Sequence, residues 1–157
     1  MDEHDITLAE GEHADFAVAP VASGRVSERM LRTLRSVAEA IFSTDDGPPP
    51  ADRMDWLLAD AEDFLSRVGS QTRWVMRLSL LAISVVAPLL VLRMPPFRAL
   101  ALRERARALT RLERSKFSAP LLAVKALVTL LYYEHPDAAR EVGFDGGCRR
   151  PLPGRVA

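Results

Sequence analysis

The sequence predicts an all-α fold: a single helical domain of about five long helices plus one short C-terminal helix. Three observations carry this. Apolar residues recur every three or four positions in successive segments, the spacing of one helix face. Strong breakers separate those segments: Asp45-Asp46-Gly47-Pro48-Pro49-Pro50, Gly69 and Pro95-Pro96. The chain then closes on PLLAVKALVTLLYYEHPDAAREVGFDGG, residues 120–147, an almost wholly apolar helix followed by a break, a short capped helix and a glycine-rich exit. At 157 residues, 48% of them hydrophobic, the chain has material for one core. The helical domain is expected over 25–147, with 1–24 a disordered acidic tail and 148–157 a C-terminal tail.

The first helix is expected from Ser27 to Phe42. Ser27 is a good N-cap and Glu28 suits the positive end of the helix dipole. Val26, Met30, Leu31, Leu34, Val37, Ala38 and Ile41 form its core face. Asp45 and Asp46 lack the D-x-D-x-D-G spacing of a calcium loop, so Thr44–Pro50 reads as a turn and a stiff proline spacer. The second helix runs from Ala51 to Val68, with Gly69 as its C-terminal cap, on a stripe of Met54, Leu57, Leu58, Ala61, Phe64, Leu65 and Val68. Trp56 lies off that stripe, which leaves two readings: covered by another helix, or an interface anchor.

The third segment, Thr72 to Leu92, raises the membrane question. Leu78–Leu92 carries no charge and is flanked by Arg77 and Arg93. A bilayer span takes about 17–25 residues. This run is shorter, and Pro88, Ser79 and Ser84 interrupt it, so it is expected to pack in protein or lie at a membrane surface. Leu102 to Ser115 follows, with a narrow stripe of Leu102, Ala106, Leu109 and Leu112 among arginines. The last long helix starts at Ser118-Ala119-Pro120, with proline in the first turn where its missing N–H is harmless. From Leu121 to Tyr133 it is apolar all round, so it is expected to be covered on more than one side. Pro136 opens the short helix, with His135 as cap or turn residue, and Gly143-Phe144 suits a Schellman ending.

Formal net charge is zero, but it is unevenly spread. Residues 1–64 hold fifteen acidic and five basic side chains, and residues 65–157 hold six acidic and sixteen basic. The plain reading is that the two halves pack on each other; the other is an acidic partner. From Arg67 to Lys116 there are eleven basic residues and two acidic, but no aromatic residues interleave and no helix-turn-helix pattern is present, which argues against nucleic acid.

Catalytic motifs are absent. One cysteine, Cys148, excludes an internal disulfide, and a reducing compartment is the simplest inference. Of three histidines, His4 and His13 fall in the acidic tail, which leaves His135 alone for any metal. There is no G-x-S-x-G elbow, Walker motif or G-x-G-x-x-G, so neither nucleotide nor dinucleotide is expected on this chain. Glu134 and His135 beside Tyr133 form the one candidate proton-handling group. The N-terminus has neither a Sec-type apolar region nor a twin-arginine pair.

AEAIFSTDDGPPP and PLLAVKALVTLLYYEHPDAAREVGFDG, with the chain length, resemble the small helical subunit of flavin-dependent GMC-type oxidoreductases, typified by gluconate 2-dehydrogenase subunit 3. The last block is also similar to the helical region preceding the flavin domain of long-chain alcohol oxidases. The resemblance covers roughly Leu31 to Gly147. It implies a non-catalytic accessory subunit whose large partner holds FAD and the catalytic residues. Matching positions are Tyr132, Tyr133, His135, Pro136, Gly143, Phe144 and Gly146. The resemblance therefore implies partner binding at Tyr132, Tyr133, His135, Pro136 and Phe144, the off-stripe Trp56 is expected to join them, and no catalytic, cofactor or metal residue is expected in this chain. The missing twin-arginine signal departs from exported members and implies a cytoplasmic location or one at the cytoplasmic face of the membrane. The alternative is a membrane-associated helical protein that acts through Leu78–Leu92 with no enzyme partner.

Overall fold

The computed structural model describes residues 26–94 and 96–144. The expected tails, most of the glycine-rich exit and Cys148 lie outside the described residues. The fold is all-α. Its helices are α1 (Glu28–Ile41), α2 (Ala51–Arg67), α3 (Ser70–Leu90), α4 (Leu102–Glu113), α5 (Ala119–Glu134) and α6 (Pro136–Glu141), with a 3₁₀ turn at Phe97–Ala99. Thr44 and Gly47 form a single bridge in the turn between α1 and α2, with Gly47 at a φ of 127° that favours glycine.

α1 begins as its sequence dictates: the Met30 N–H donates to Ser27 Oγ at 3.3 Å. α2 ends differently from expectation. Gly69 has a φ of −58° and serves as N-cap of α3, not as the C-terminal cap of α2. The cap comes instead from α3. Arg73 donates to the carbonyls of Leu65, Ser66 and Val68 at 3.4, 3.2 and 2.9 Å. All three contacts come from Arg73 Nη1, whose two hydrogens are shared among the orphan carbonyls at the negative end of the dipole, so no left-handed glycine is required.

α3 starts two residues before the expected Thr72 and ends two before Leu92. Pro88 sits in its last turn, where only one backbone bond is lost. The helix closes on a Schellman motif: the Leu92 N–H donates to Leu89 O and the Arg93 N–H to Pro88 O, both at 3.0 Å. Leucine occupies the position that glycine normally takes, at a φ of 56°. The 3₁₀ turn after Pro96 has no counterpart in the sequence reading. It delivers Phe97, fully buried, against α1 and α3.

The core is centred on α5, which packs on α1, α2, α3, α4 and α6. Leu121, Val124, Leu127, Val128, Leu131 and Tyr132 face inward. The expected cover on several sides is present, yet Leu122, Ala126 and Leu130, four residues apart, face out. α4 buries Ala108, Leu109 and Leu112, while Leu102 and Ala106 are only partly covered.

Among the described residues the acidic and basic halves do not pair across a broad seam. Two ion pairs distant in sequence cross between them: Arg105 with Glu39 at 3.0 Å, and Arg53 with Glu141, where the basic group comes from the acidic half. Others are local, such as Lys125–Glu113 and Arg67–Asp63. Glu39 also accepts from Arg35 at 3.2 Å, which itself reaches Asp55, so one charged chain ties α4 to α1 and α2.

Candidate functional site: an aromatic corner and an uncovered helix face

The C-terminal corner is set by His135. Its backbone is extended, at φ −65° and ψ 127°, so it ends α5 and begins α6 at once. Its N–H donates to Tyr132 O at 3.3 Å, and its Nδ1 accepts the Asp137 N–H at 3.3 Å. Pro136 follows at the first helical position, where no N–H is needed. α6 closes on the expected Schellman motif. Gly143 takes a φ of 80°, its N–H reaches Arg140 O at 3.0 Å, and the Phe144 N–H reaches Ala139 O at 2.9 Å. Backbone hydrogen bonds thus define the whole reversal from Tyr132 to Phe144.

Aromatic rings gather around it. Tyr132 stacks on Phe42, centroids 4.0 Å apart and planes 11° from parallel. Tyr133 meets Tyr132 edge-on at 5.4 Å and Phe42 at 6.3 Å. The Trp56 ring stands perpendicular to the His135 ring at 5.3 Å. Arg53 locks α2 to α6: its two terminal nitrogens donate to the two Glu141 oxygens at 2.7 and 2.5 Å, and a third, longer contact reaches Tyr132 Oη at 3.4 Å. The hydrogen bond to Glu141 holds the Arg53 pKa above the ordinary arginine range, and the hydrogen bond to Tyr132 adds to this. The same guanidinium holds the Glu141 carboxyl below its usual range.

The six residues read from the sequence divide in two. Tyr132 is 7% exposed and belongs to the core; its ring is not available to a partner. Trp56 and Tyr133 are 44% and 39% exposed, and Phe144 is 54% exposed. Pro136 is exposed and His135 half-buried between them. Trp56 meets His135 at one side of its ring and leaves nearly half of its surface exposed. Sequence reasoning missed Phe42 and Arg53. Phe42 stands at the end of the α1 stripe and gives no signal of stacking across the fold. Arg53 and Glu141 lie far apart in sequence, and nothing local pairs them.

Among the described residues no three His, Cys, Asp or Glu side chains come together as metal ligands. His135 engages a backbone N–H through Nδ1, which is the geometry of a cap rather than of a proton relay.

No family model, curated protein or solved structure matches this chain.

The second feature is the outward face of α3. Trp74, Leu78, Leu81, Val85 and Leu89 recur every three or four residues, each roughly half exposed. Leu92 and Met94 continue the apolar surface beyond the helix end. Arg77 lies 5.3 Å from the Trp74 ring centroid, in cation–π contact. α3 is long and apolar enough to cross a membrane, and one third of its most apolar window is buried. At 21 residues it extends about 32 Å, close to the thickness of a hydrocarbon core of about 30 Å. Its inner face, however, packs on α1, α4 and α5. A spanning helix would have to abandon that contact.

Proposed function

We propose that this chain is a non-catalytic accessory subunit that binds and stabilises a FAD-dependent GMC-type oxidoreductase. The observation that carries this reading is the aromatic corner. Trp56, Tyr133 and Phe144 are exposed on a scaffold that His135, Gly143 and the Arg53–Glu141 pair hold by backbone and charge-assisted bonds. Rings held this way lose little entropy on docking, and aromatic side chains dominate interface energetics. The resemblance of the same block to the small subunits of flavin oxidoreductases supplies the class of partner. FAD and the reacting groups then belong to that partner. A tagged chain purified from its source is expected to bring down a GMC-type flavoprotein at fixed stoichiometry, with flavin absorbance in the eluate. The chain purified alone is expected to be colourless. Stoichiometric FAD in the isolated chain, or a chain that elutes without any flavoprotein, would overturn the assignment.

A second reading has its own observation, the uncovered face of α3. A partly exposed apolar helix flanked by Arg77 and Arg93 suits peripheral association with a bilayer surface, as the arginine stems can snorkel. Alkaline carbonate washing separates the possibilities. Release into the supernatant supports a peripheral or protein-covered helix, and retention in the pellet supports a span.

A further inference from the structure

We propose that residues 1–25 of this chain fill the groove between α1, α3 and the 3₁₀ turn. The groove has a volume of about 560 Å³. Its floor is apolar, formed by Met30, Leu80, Leu81 and Phe97, and its rim carries Arg29, Arg77 and Arg98. A smaller hollow of about 240 Å³ adjoins it, sharing Ser27, Met30 and Arg77 and adding Arg73 and Trp74. Among the described residues no carboxylate lines either one. Among the described residues Arg29, Arg77 and Arg98 form no ion pair, which they share with several other arginines of α3 and α4.

The occupant is identified by charge, apolar content and tether. Residues 1–25 hold six carboxylates (Asp2, Glu3, Asp5, Glu10, Glu12, Asp15) and a single basic residue, Arg25, at the junction with α1. Phe16–Ala22, FAVAPVA, is uncharged and lies nearer the point of entry. That point is Ser27, itself a wall of both hollows. Apolar residues thus reach the floor first, and the carboxylates further along meet the arginine rim. The reach is ample at about 3.3 Å per extended residue. A short tether also gives a local concentration in the millimolar range, so weak contacts suffice. The other end of the chain is a poor competitor: residues 145–157 carry three arginines and one aspartate, and the rim repels them.

The test uses the full chain. A spin label is placed at Ala14→Cys in a Cys148→Ser background, and backbone amide intensities are read by NMR. Loss of intensity is expected to concentrate at Leu80–Ser84 and Phe97–Ala99. Arg77→Glu with Arg98→Glu, both on the surface, should abolish that loss and leave the helical circular dichroism unchanged. Arg77→Lys with Arg98→Lys should retain it, and high salt should weaken it. Intensity loss spread evenly along the chain, or none, would overturn the proposal. So would a loss seen only between molecules, in a mixture of spin-labelled and isotope-labelled chains, because the groove would then take a second copy.

Discussion

Arg53 and Glu141 meet through two parallel hydrogen bonds of 2.7 and 2.5 Å, although α2 and α6 share few other ties. The pair fastens the short C-terminal helix to the body of the fold. Its consequences follow acid rather than base. The carboxyl of Glu141 titrates below its usual range because Arg53 stabilises the charged form. A carboxylate lowered on folding contributes stability that is fully present above the ordinary value, about pH 4.3, and is lost as pH falls through the lowered one. Glu141→Gln should therefore melt below the wild type at neutral pH, with the gap closing under acid. A gap that stays constant down to about pH 2–3 would show that it does not come from the ionised pair, and the absence of a gap at neutral pH would show that the pair adds nothing.

The ionic chain through Glu39 should matter more than the exposed pairs. Arg105 is largely buried, and among the described residues its Nε has no partner and Glu39 is its one carboxylate. Glu39→Gln is expected to cost about 1–3 kcal/mol, because it leaves a desolvated guanidinium poorly compensated. Glu113→Gln, which removes the exposed pair with Lys125, should cost about 0–1 kcal/mol. Urea unfolding of both variants checks the order; equal costs would mean that burial of Arg105 is unimportant.

Leu92 is the one described residue other than glycine with positive φ, and it is 92% exposed. A β-carbon in that conformation costs about 1–2 kcal/mol, and an exposed side chain returns little packing. Leu92→Gly should stabilise the fold by up to about 1 kcal/mol, the strain relieved being partly offset by the entropy of glycine. Thermal melting measures it. A fall in melting temperature would mean that the leucine side chain packs in the folded state.

Phe97 shows where the sequence was silent. Ser27, Pro120, His135-Pro136 and Gly143 each carry a local instruction, and the ends they set were legible. The spacing of α1, α2, α4 and α5 was legible for the same reason. Gly69 carried an instruction that a non-local donor, Arg73, made unnecessary. Phe97 follows two prolines and belongs to no periodic segment, so its burial against α1 and α3 is purely tertiary. The same holds for Tyr132: adjacent tyrosines look alike in sequence, and only the position of Phe42 decides which one is covered. The outward face of α3 was legible as apolar but not as uncovered, since exposure depends on which neighbours arrive. Phe97→Ala should cost about 3–5 kcal/mol by urea unfolding, in the range for a buried ring. A cost below about 1 kcal/mol, the scale of surface changes, would place the turn outside the core.

The proposed docking of a flavoprotein on the exposed rings of the corner is tested most directly by the affinity of that complex for Tyr133→Ala and Phe144→Ala, with Tyr132→Ala as control. Truncating an interface anchor costs about 1–3 kcal/mol, roughly 5- to 150-fold in Kd. Tyr133→Ala and Phe144→Ala should each weaken the complex by that much while the isolated chain melts near the wild-type temperature. Tyr132→Ala, which removes a buried ring, should instead lower the melting temperature. If Tyr133→Ala and Phe144→Ala bind the flavoprotein with wild-type affinity, the corner is only a structural closure and the docking assignment fails.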